Sequence, residues 1–444
     1  MPTVTLPSKP DAPVAYELFQ GDAASTLLVV CLNGLGLPQG GWKLAIDLFQ
    51  QSSVSPKPWI LTYDRYGQGA SPRDPRESWP SKDPGYAHTL DDVTDDLHEL
   101  VRTLCPDRCS RICLVNNSIG AHVARRYADR YPTIVEGILF LDSNPGNTDY
   151  ASIWPNPKDP SFDLEKMAPP GTPLDEYEAA YSKMTTVFAS GAKNPEGFDR
   201  REIKNILPDP SRPKLKGSKT SDAGPWITVV GHELEQFSKE EWAMMKVPLG
   251  MAAMYTQPMW EKYNEGLCGL TDRDRAKGPI IAPKCGHFVQ KDNPTFVAEQ
   301  LEDLVKKVEA LQALESSKGS GDSASALDDV KETEDFHYQF WRLLSTFIYF
   351  GSLNLNLNLL FHIFFIQRYA RMLEEPAASV AHFSWLMAYR CAMITLLAVA
   401  PLSTISTPPP TAATDVRPMD PPQCSGVSGS SNAVHWMRRP LYLI

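Results

Sequence analysis

Ser118, His287 and the carboxylates Asp142, Glu233 and Glu235 that lie between them are the residues of this chain whose types and order could do chemistry together. Ser118 stands in ICLVNNSIGAHVARRYADRYP, where an apolar run passes through a short polar turn into a stretch with Ala and Val on one side and Arg on the other. A serine at such a strand-to-helix corner sits in a strained backbone at a helix N-terminus, where N–H groups and the helix dipole favour negative charge. Its hydroxyl is a poor nucleophile until a base takes the proton. His287, in APKCGHFVQKDNP, follows the last strand-like run and precedes the last helix, level with Ser118 at the strand ends. A carboxylate would orient its imidazole and stabilise the charged form. WITVVGHELEQF puts Glu233 two residues and Glu235 four residues beyond Gly231. Glu233 is preferred because the shorter turn keeps it nearer the strand end; Glu235 and Asp142, which ends another strand, are the alternatives.

Acyl transfer also needs donors for the oxyanion, and two backbone N–H groups aimed at one point serve best. LNGLGLPQGGW, directly after an early strand, is a Gly-rich loop able to turn the Leu35 N–H toward the N–H that follows the serine, that of Ile119. The residues two before and two after the serine must be small or tolerant. Gly120 meets this, and Asn116 is bulkier but belongs to a type that accepts odd backbone angles. The glycines and Ser71 of YDRYGQGAS are expected to shape a turn and not to react. Cys105, Cys109 and Cys113 are read as buried thiols, because Pro106 and the strand that follows break any shared helical face. No metal and no cofactor is expected.

These residues need a sheet that presents strand ends along one edge. From about Val14 to Leu314 short β-rich runs (26–32, 59–63, 112–116, 137–141, 226–230 and 279–283) alternate with amphipathic helices. That alternation predicts an α/β fold, a mostly parallel sheet covered on both faces. The spacing predicts a helix over 89–104, opened by Thr89 with Asp92 three residues on. A last helix is predicted from Asn293, with Pro294 at its first position, where a missing N–H costs nothing. The parts expected are 1–142 and 226–315 as the two pieces of the core, 143–225 as an inserted lid, and 316–444 as a linker and tail outside the catalytic unit. The lid segment is Pro-rich and irregular around one helical piece, DEYEAAYSKMTTVFASG.

The tail begins with a Ser/Gly/acidic stretch too poor in apolar residues to pack. Residues 343–366 then run without an ionised side chain, long enough to cross a bilayer. Three asparagines, a histidine and the LNLNLN alternation count against a spanning helix, so an appendage unconnected with catalysis is preferred over membrane contact. The formal charge of −10 argues against nucleic acid and anionic membrane surfaces as partners. The N-terminus has neither a basic nor an apolar leader region. Eight unevenly spaced cysteines do not form a disulfide framework. A reducing, cytoplasmic setting is therefore expected, with a peroxisomal or membrane-associated one as the alternative that the tail would bring.

The motifs around Ser118, Gly34, the WITVVGHELEQF turn and IIAPKCGHFVQKDNP resemble the α/β-hydrolase superfamily over roughly residues 14 to 314. WITVVGHELEQF, MYTQPMWEKYNEG and IIAPKCGHFVQKDNP look most like fungal members, including hydrolases associated with secondary-metabolite or toxin pathways. The resemblance implies a lid after the sixth strand and a Ser-acid-His triad, with Ser118 as nucleophile, His287 as base, and Leu35 and Ile119 as oxyanion donors. Two positions depart from the family pattern: Asn33 stands for the usual histidine and Asn116 for the usual glycine. The implied activity is a serine hydrolase acting on an ester, thioester or lactone of a small hydrophobic metabolite. A non-hydrolytic ligand-binding or accessory protein that keeps the fold is the alternative, and a serine in place of aspartate disfavours epoxide hydrolase or dehalogenase chemistry.

Overall fold

A computed structural model of the chain describes residues 1–319, apart from 78–79, 106–109 and 218–222. Residues 316–319 of the expected linker continue the last helix, and the rest of the linker and the 343–366 stretch lie outside the described residues. Eight strands form one sheet in the order β1-β2-β4-β3-β5-β6-β7-β8. They are β1 (Thr3–Leu6), β2 (Lys9–Phe19), β3 (Leu27–Leu32), β4 (Trp59–Tyr63), β5 (Arg111–Asn117), β6 (Val135–Leu141), β7 (Trp226–Gly231) and β8 (Ala276–Ile281). The six strands from β3 onward run parallel; β1 and β2 form an antiparallel edge.

Strand β3 shows why the sheet is covered on both faces. Leu28, Val30 and Leu32 join one buried cluster, and Leu27, Val29 and Cys31 join the other. All six are buried, as a period of two with apolar residues at every position requires. The helices α1 (Lys43–Gln50) and α10 (Pro294–Gly319) cover one face; α2 (Leu90–Leu104), α3 (Gly120–Arg130) and α8 (Gln257–Cys268) cover the other. Helix α2 opens with the expected reciprocal cap: the Asp92 N–H donates to Thr89 Oγ1 at 3.2 Å, and the Thr89 N–H donates to Asp92 Oδ2 at 2.9 Å.

Between β6 and β7 the chain carries the short helix α4 (Leu164–Met167), the longer α5 (Leu174–Phe188) and the short α6 (Ile203–Ile206). The helix α7 (Leu234–Met245) and the start of α8 pack against α5, so Tyr177, Met184, Phe237 and Trp260 share a third buried cluster. A short α9 (Val289–Asp292) precedes α10.

Register brings the chemistry together. Leu32 of β3 lies opposite Asn116 of β5, and Asn117 lies opposite Leu141 of β6. One residue further, Ser118 and Asp142 therefore stand side by side at the sheet's C-terminal edge, with the Gly34 loop on the other flank. Leu141 is paired with Val230 of β7, which brings Gly231 and His232 to the same edge. This is also where the strand order reverses between β4-β3 and β5-β6, the usual position of a ligand crevice in such sheets.

Candidate active site

Ser118 adopts φ +56°, in the left-handed region that few residues other than glycine enter. The corner around it is tight. A side chain at Gly120 would come 2.6 Å from the Leu32 carbonyl oxygen, and one at Gly34 would come 3.2 Å from Ser118 Cβ. Glycine is required at Gly120, where β3 and α3 approach closely, while a side chain at Gly34 would press on Leu37 and Ser118. Asn116 is fully buried, and neither polar atom of its amide has a hydrogen-bond partner among the described residues.

His287 is brought to Ser118 by the residue before the serine. Asn117 Nδ2 donates to the His287 carbonyl at 2.9 Å and to the Leu141 carbonyl at 3.0 Å, while its Oδ1 accepts from Gln290 Nε2 at 3.1 Å. The His287 N–H donates to Glu240 Oε2 at 2.7 Å. Ser118 and His287 then line one cavity with Met184, Phe188, Phe237 and Phe288.

The carboxylate that meets His287 is Asp142. His287 Nδ1 is 2.5 Å from Asp142 Oδ2. Asp142 is completely buried and also has a positive φ, +43°. Burial works against its charge, yet His232 and His287 outweigh this and hold the carboxyl below its ordinary value. Of the three carboxylates weighed from sequence, the structure places Asp142 against His287, and Glu233 and Glu235 elsewhere. Glu233 Oε2 accepts from the Lys284 N–H at 2.5 Å and its own N–H donates to the Cys285 carbonyl, so it braces the histidine loop from behind. Glu235 is exposed and pairs with Lys239. The β7 turn aims His232, one residue earlier, at the site instead.

The two peptides expected to donate to an oxyanion are each held by their carbonyl. In a trans peptide the C=O and the following N–H point in opposite directions. The Gly34 carbonyl accepts from Arg65 Nη2 at 3.0 Å and from Gln68 Nε2 at 2.9 Å, which turns the Leu35 N–H the other way. The Ser118 carbonyl accepts from the Ala121 N–H at 3.2 Å and the Asn144 N–H at 3.3 Å, which orients the Ile119 N–H likewise.

Arg65 also donates to the Asn33 carbonyl at 2.8 Å and forms a buried ion pair with Glu196, at 2.5 Å, whose second oxygen accepts from the Gly36 N–H. Asn33 is fully used: Nδ2 donates to the Tyr63 carbonyl and Gln68 Oε1, and Oδ1 accepts from Trp42 Nε1 at 2.7 Å. The YDRYGQGAS turn thus does more than shape itself; its Arg65 and Gln68 grip the Gly34 loop. Ser71 has the structural part expected of it, donating to the Asp64 carbonyl and accepting from the Ala15 N–H.

Comparison with known proteins agrees with this geometry at the level of family. The family model described as alpha/beta hydrolase family matches residues 29–300, more than half of the chain. The chain belongs to the alpha/beta hydrolase family. Curated relatives match shorter pieces. Derlin-2.1 of Arabidopsis thaliana is 38% identical over 60 residues, 13% of this chain and 24% of that protein. The sn-1-specific diacylglycerol lipase ABHD11 of Danio rerio is 28% identical over 135 residues, 30% of this chain and 37% of the lipase. The chain thus spans about a quarter of the length of the first and just over a third of the second. An esterase structure from Thermogutta terrifontis is 17% identical, covers 69% of this chain and 98% of the esterase, and has a TM-score of 0.38.

Proposed function

We propose that the protein is a serine hydrolase in which Ser118 attacks a carbonyl, His287 takes and returns the proton, and Asp142 orients His287. The observation that carries this reading is the shared edge: Ser118, at φ +56°, lines one cavity with His287, whose Nδ1 is bonded to Asp142 at 2.5 Å. With Nδ1 committed to the carboxylate, Nε2 is the nitrogen left to act as base. Attack forms the Ser118 Oγ–carbonyl bond and moves its proton to Nε2. The leaving alcohol, thiol or ring oxygen receives that proton, and water, deprotonated by the same nitrogen, releases the acyl group. The Leu35 and Ile119 N–H groups would take the oxyanion, a contribution of about 2.7–4 kcal/mol for one such donor.

The cavity supports an uncharged, apolar carbonyl substrate. Met184 and Phe188 come from α5, Met244 and Met245 from α7, and flexible methionine thioethers adapt to irregular apolar shapes. Glu240 and Glu241 also line it and disfavour anionic acyl groups. An ester, thioester or lactone of a small hydrophobic metabolite fits this lining, with the 143–225 segment acting as the lid that sets the pocket. The resemblance to fungal secondary-metabolite hydrolases points to the same substrate class.

A fluorophosphonate probe tests the assignment. The full chain should be labelled once, at Ser118, with loss of hydrolysis of a short p-nitrophenyl ester. Ser118→Ala should abolish labelling, His287→Ala should reduce it sharply, and Asn116→Gly should label at least as well as the parent. Labelling that persists in folded Ser118→Ala assigns the chemistry elsewhere. No labelling and no turnover in the parent chain favours a fold-sharing binder.

A further inference from the structure

Strand β7 delivers a second histidine to the same carboxylate. His232 Nδ1 is 2.7 Å from Asp142 Oδ1, on the opposite oxygen from the one that meets His287, and the His232 N–H donates to the same Oδ1 at 3.2 Å. The side chain is only 1% exposed. Its other ring nitrogen, Nε2, is 2.7 Å from Gln257 Oε1. The amide orientation of Gln257 is set by its far side, where Nε2 donates to Glu261 Oε1 at 3.0 Å. Both ring nitrogens of His232 therefore face acceptors. An imidazole serves two acceptors only when both nitrogens carry protons.

The surroundings suit a cation. Phe237 stacks on the His232 ring at 3.9 Å between centroids and 11° between planes, and Trp260 meets it at 5.7 Å in an edge geometry. A cation over an aromatic face is favoured, more so when desolvated. Gln257 opens α8 directly after a π-helical turn, Ala252–Thr256, an irregularity frequent at functional sites.

We propose that His232 is a positioning residue of the active site, held as an imidazolium between Asp142 and Gln257, where it fixes one carboxylate oxygen and shares the charge that faces His287. The proposal rests on the Ser118–His287–Asp142 assignment above. The charged and titratable groups around His232 are Asp142 at the end of β6, Glu241 on α7, Glu261 behind Gln257 on α8, and His287 across the carboxylate. Burial alone would strip the proton from His232. The Asp142 charge, hydrogen bonds to Asp142 and Gln257, and the more distant Glu241 outweigh it, and His232 titrates above its ordinary value.

A dry carboxylate facing one histidine alone would hold a proton on that histidine and keep it from acting as a base. Sharing the charge with a fixed cation leaves one Asp142 oxygen to orient His287 while the other is held by His232.

Two measurements on the full chain decide this. First, ring ¹⁵N–¹H spectra of the parent protein should show both His232 nitrogens protonated at neutral pH; a single protonated nitrogen overturns the proposal without needing any variant to fold. Second, the pH dependence of fluorophosphonate inactivation should change in His232→Gln. The acid limb should move up by about one pH unit, since a like charge close to His287 has been removed. Gln257→Leu should move it the same way by less. An acid limb that stays in place or moves to lower pH in folded His232→Gln also overturns the proposal. Labelling of Ser118→Ala, or normal labelling of Asp142→Asn, overturns the catalytic assignment itself and with it this role for His232, whatever the charge on the ring.

Discussion

Asn117 and His287, 170 positions apart, are joined by a hydrogen bond of 2.9 Å from the Asn117 amide to the His287 carbonyl. The residue just before Ser118 thus positions the histidine loop. With Leu141 and Gln290 it forms a closed joint among three segments, and it is fully buried. Asn117→Ala leaves the His287 carbonyl without this donor and the Gln290 amide without this acceptor, while the Leu141 carbonyl keeps the Ser118 N–H at 3.4 Å. The expected loss is about 1–3 kcal/mol of stability for each orphaned group. Because His287 would drift relative to Ser118, ester hydrolysis should fall about 100-fold even in folded protein. Thermal denaturation and kcat/KM check both; a normal rate would show that Glu240 and Asp142 hold the loop unaided.

The carboxylates can be ranked by rate. Asp142→Asn removes the group that orients His287 and should lower kcat by about 10⁴-fold. Glu233→Gln keeps a group that can still accept from the Lys284 N–H, and Glu235→Gln changes only an exposed pair, so both should stay within about tenfold of the parent. A severe loss at Glu233 with a mild one at Asp142 would reverse the assignment.

Much of this was legible in the sequence, and the gaps have physical causes. The six parallel strands, the Thr89 cap and the Pro294 start follow from local chemistry, and the structure repeats them within a few residues. The antiparallel pair β1 and β2 was not read, because prolines at 2, 7, 10 and 13 break the β pattern while an edge strand tolerates them. Strand β8 starts three residues before the expected 279 because Ala276 and Lys277 already pair with Ile227 and Thr228, the register shifting only afterwards, past Gly278 at φ +118°. Sequence spacing favoured Glu233 over Asp142 because it says nothing about which strand end turns toward His287. Register decides it: Asp142 follows Leu141, directly opposite Asn117, whereas Glu233 begins α7 and turns away. The parts of Arg65, Glu196 and His232 depend on contacts between distant segments and left no local signal.

The Gly34 loop is held by a buried ion pair that reaches across 131 positions, from Arg65 to Glu196 in the segment between β6 and β7. Glu196→Gln leaves Arg65 buried with half its partner, and breaking such a pair costs about 3–5 kcal/mol. If the Gly34 carbonyl loses its grip, the Leu35 N–H loses its aim. The expected kinetic signature is a fall in kcat of about 10²–10³-fold with KM little changed, since the oxyanion exists only in the transition state. A rise in KM alone would make Glu196 a substrate-binding residue.

The catalytic unit is expected to end with α10. Its buried stripe runs to Val308, and Arg111 of β5 bonds to the Val308 carbonyl and pairs with Glu309. Residues 1–319 alone should therefore unfold cooperatively and hydrolyse p-nitrophenyl esters as fast as the full chain. Ending the chain near residue 300 should abolish folding, because Leu301, Leu304 and Val305 cover β6. Precipitation of 1–319 while the full chain stays in solution would mean that later residues cover part of the core.

The Asp142–His232 pair predicts how stability follows pH. His232 titrates above its ordinary value when folded and near pH 6.5 when unfolded, so the folded state binds that proton more tightly. Its contribution is fully present below about pH 6.5 and is lost as pH rises through the higher folded value. Asp142 behaves oppositely: its folded carboxyl lies below the unfolded value, so its contribution is present above about pH 4 and is lost as pH falls through the folded value. Both act together from about pH 4 to 6.5. The difference in Tm between the parent and His232→Gln should be greatest in that window and shrink as pH rises above it. Asp142→Asn should show the same narrowing on the acid side. A His232→Gln difference that is flat with pH, or that grows toward alkaline pH, would mean the ring is neutral and serves only to fill the space beside Phe237.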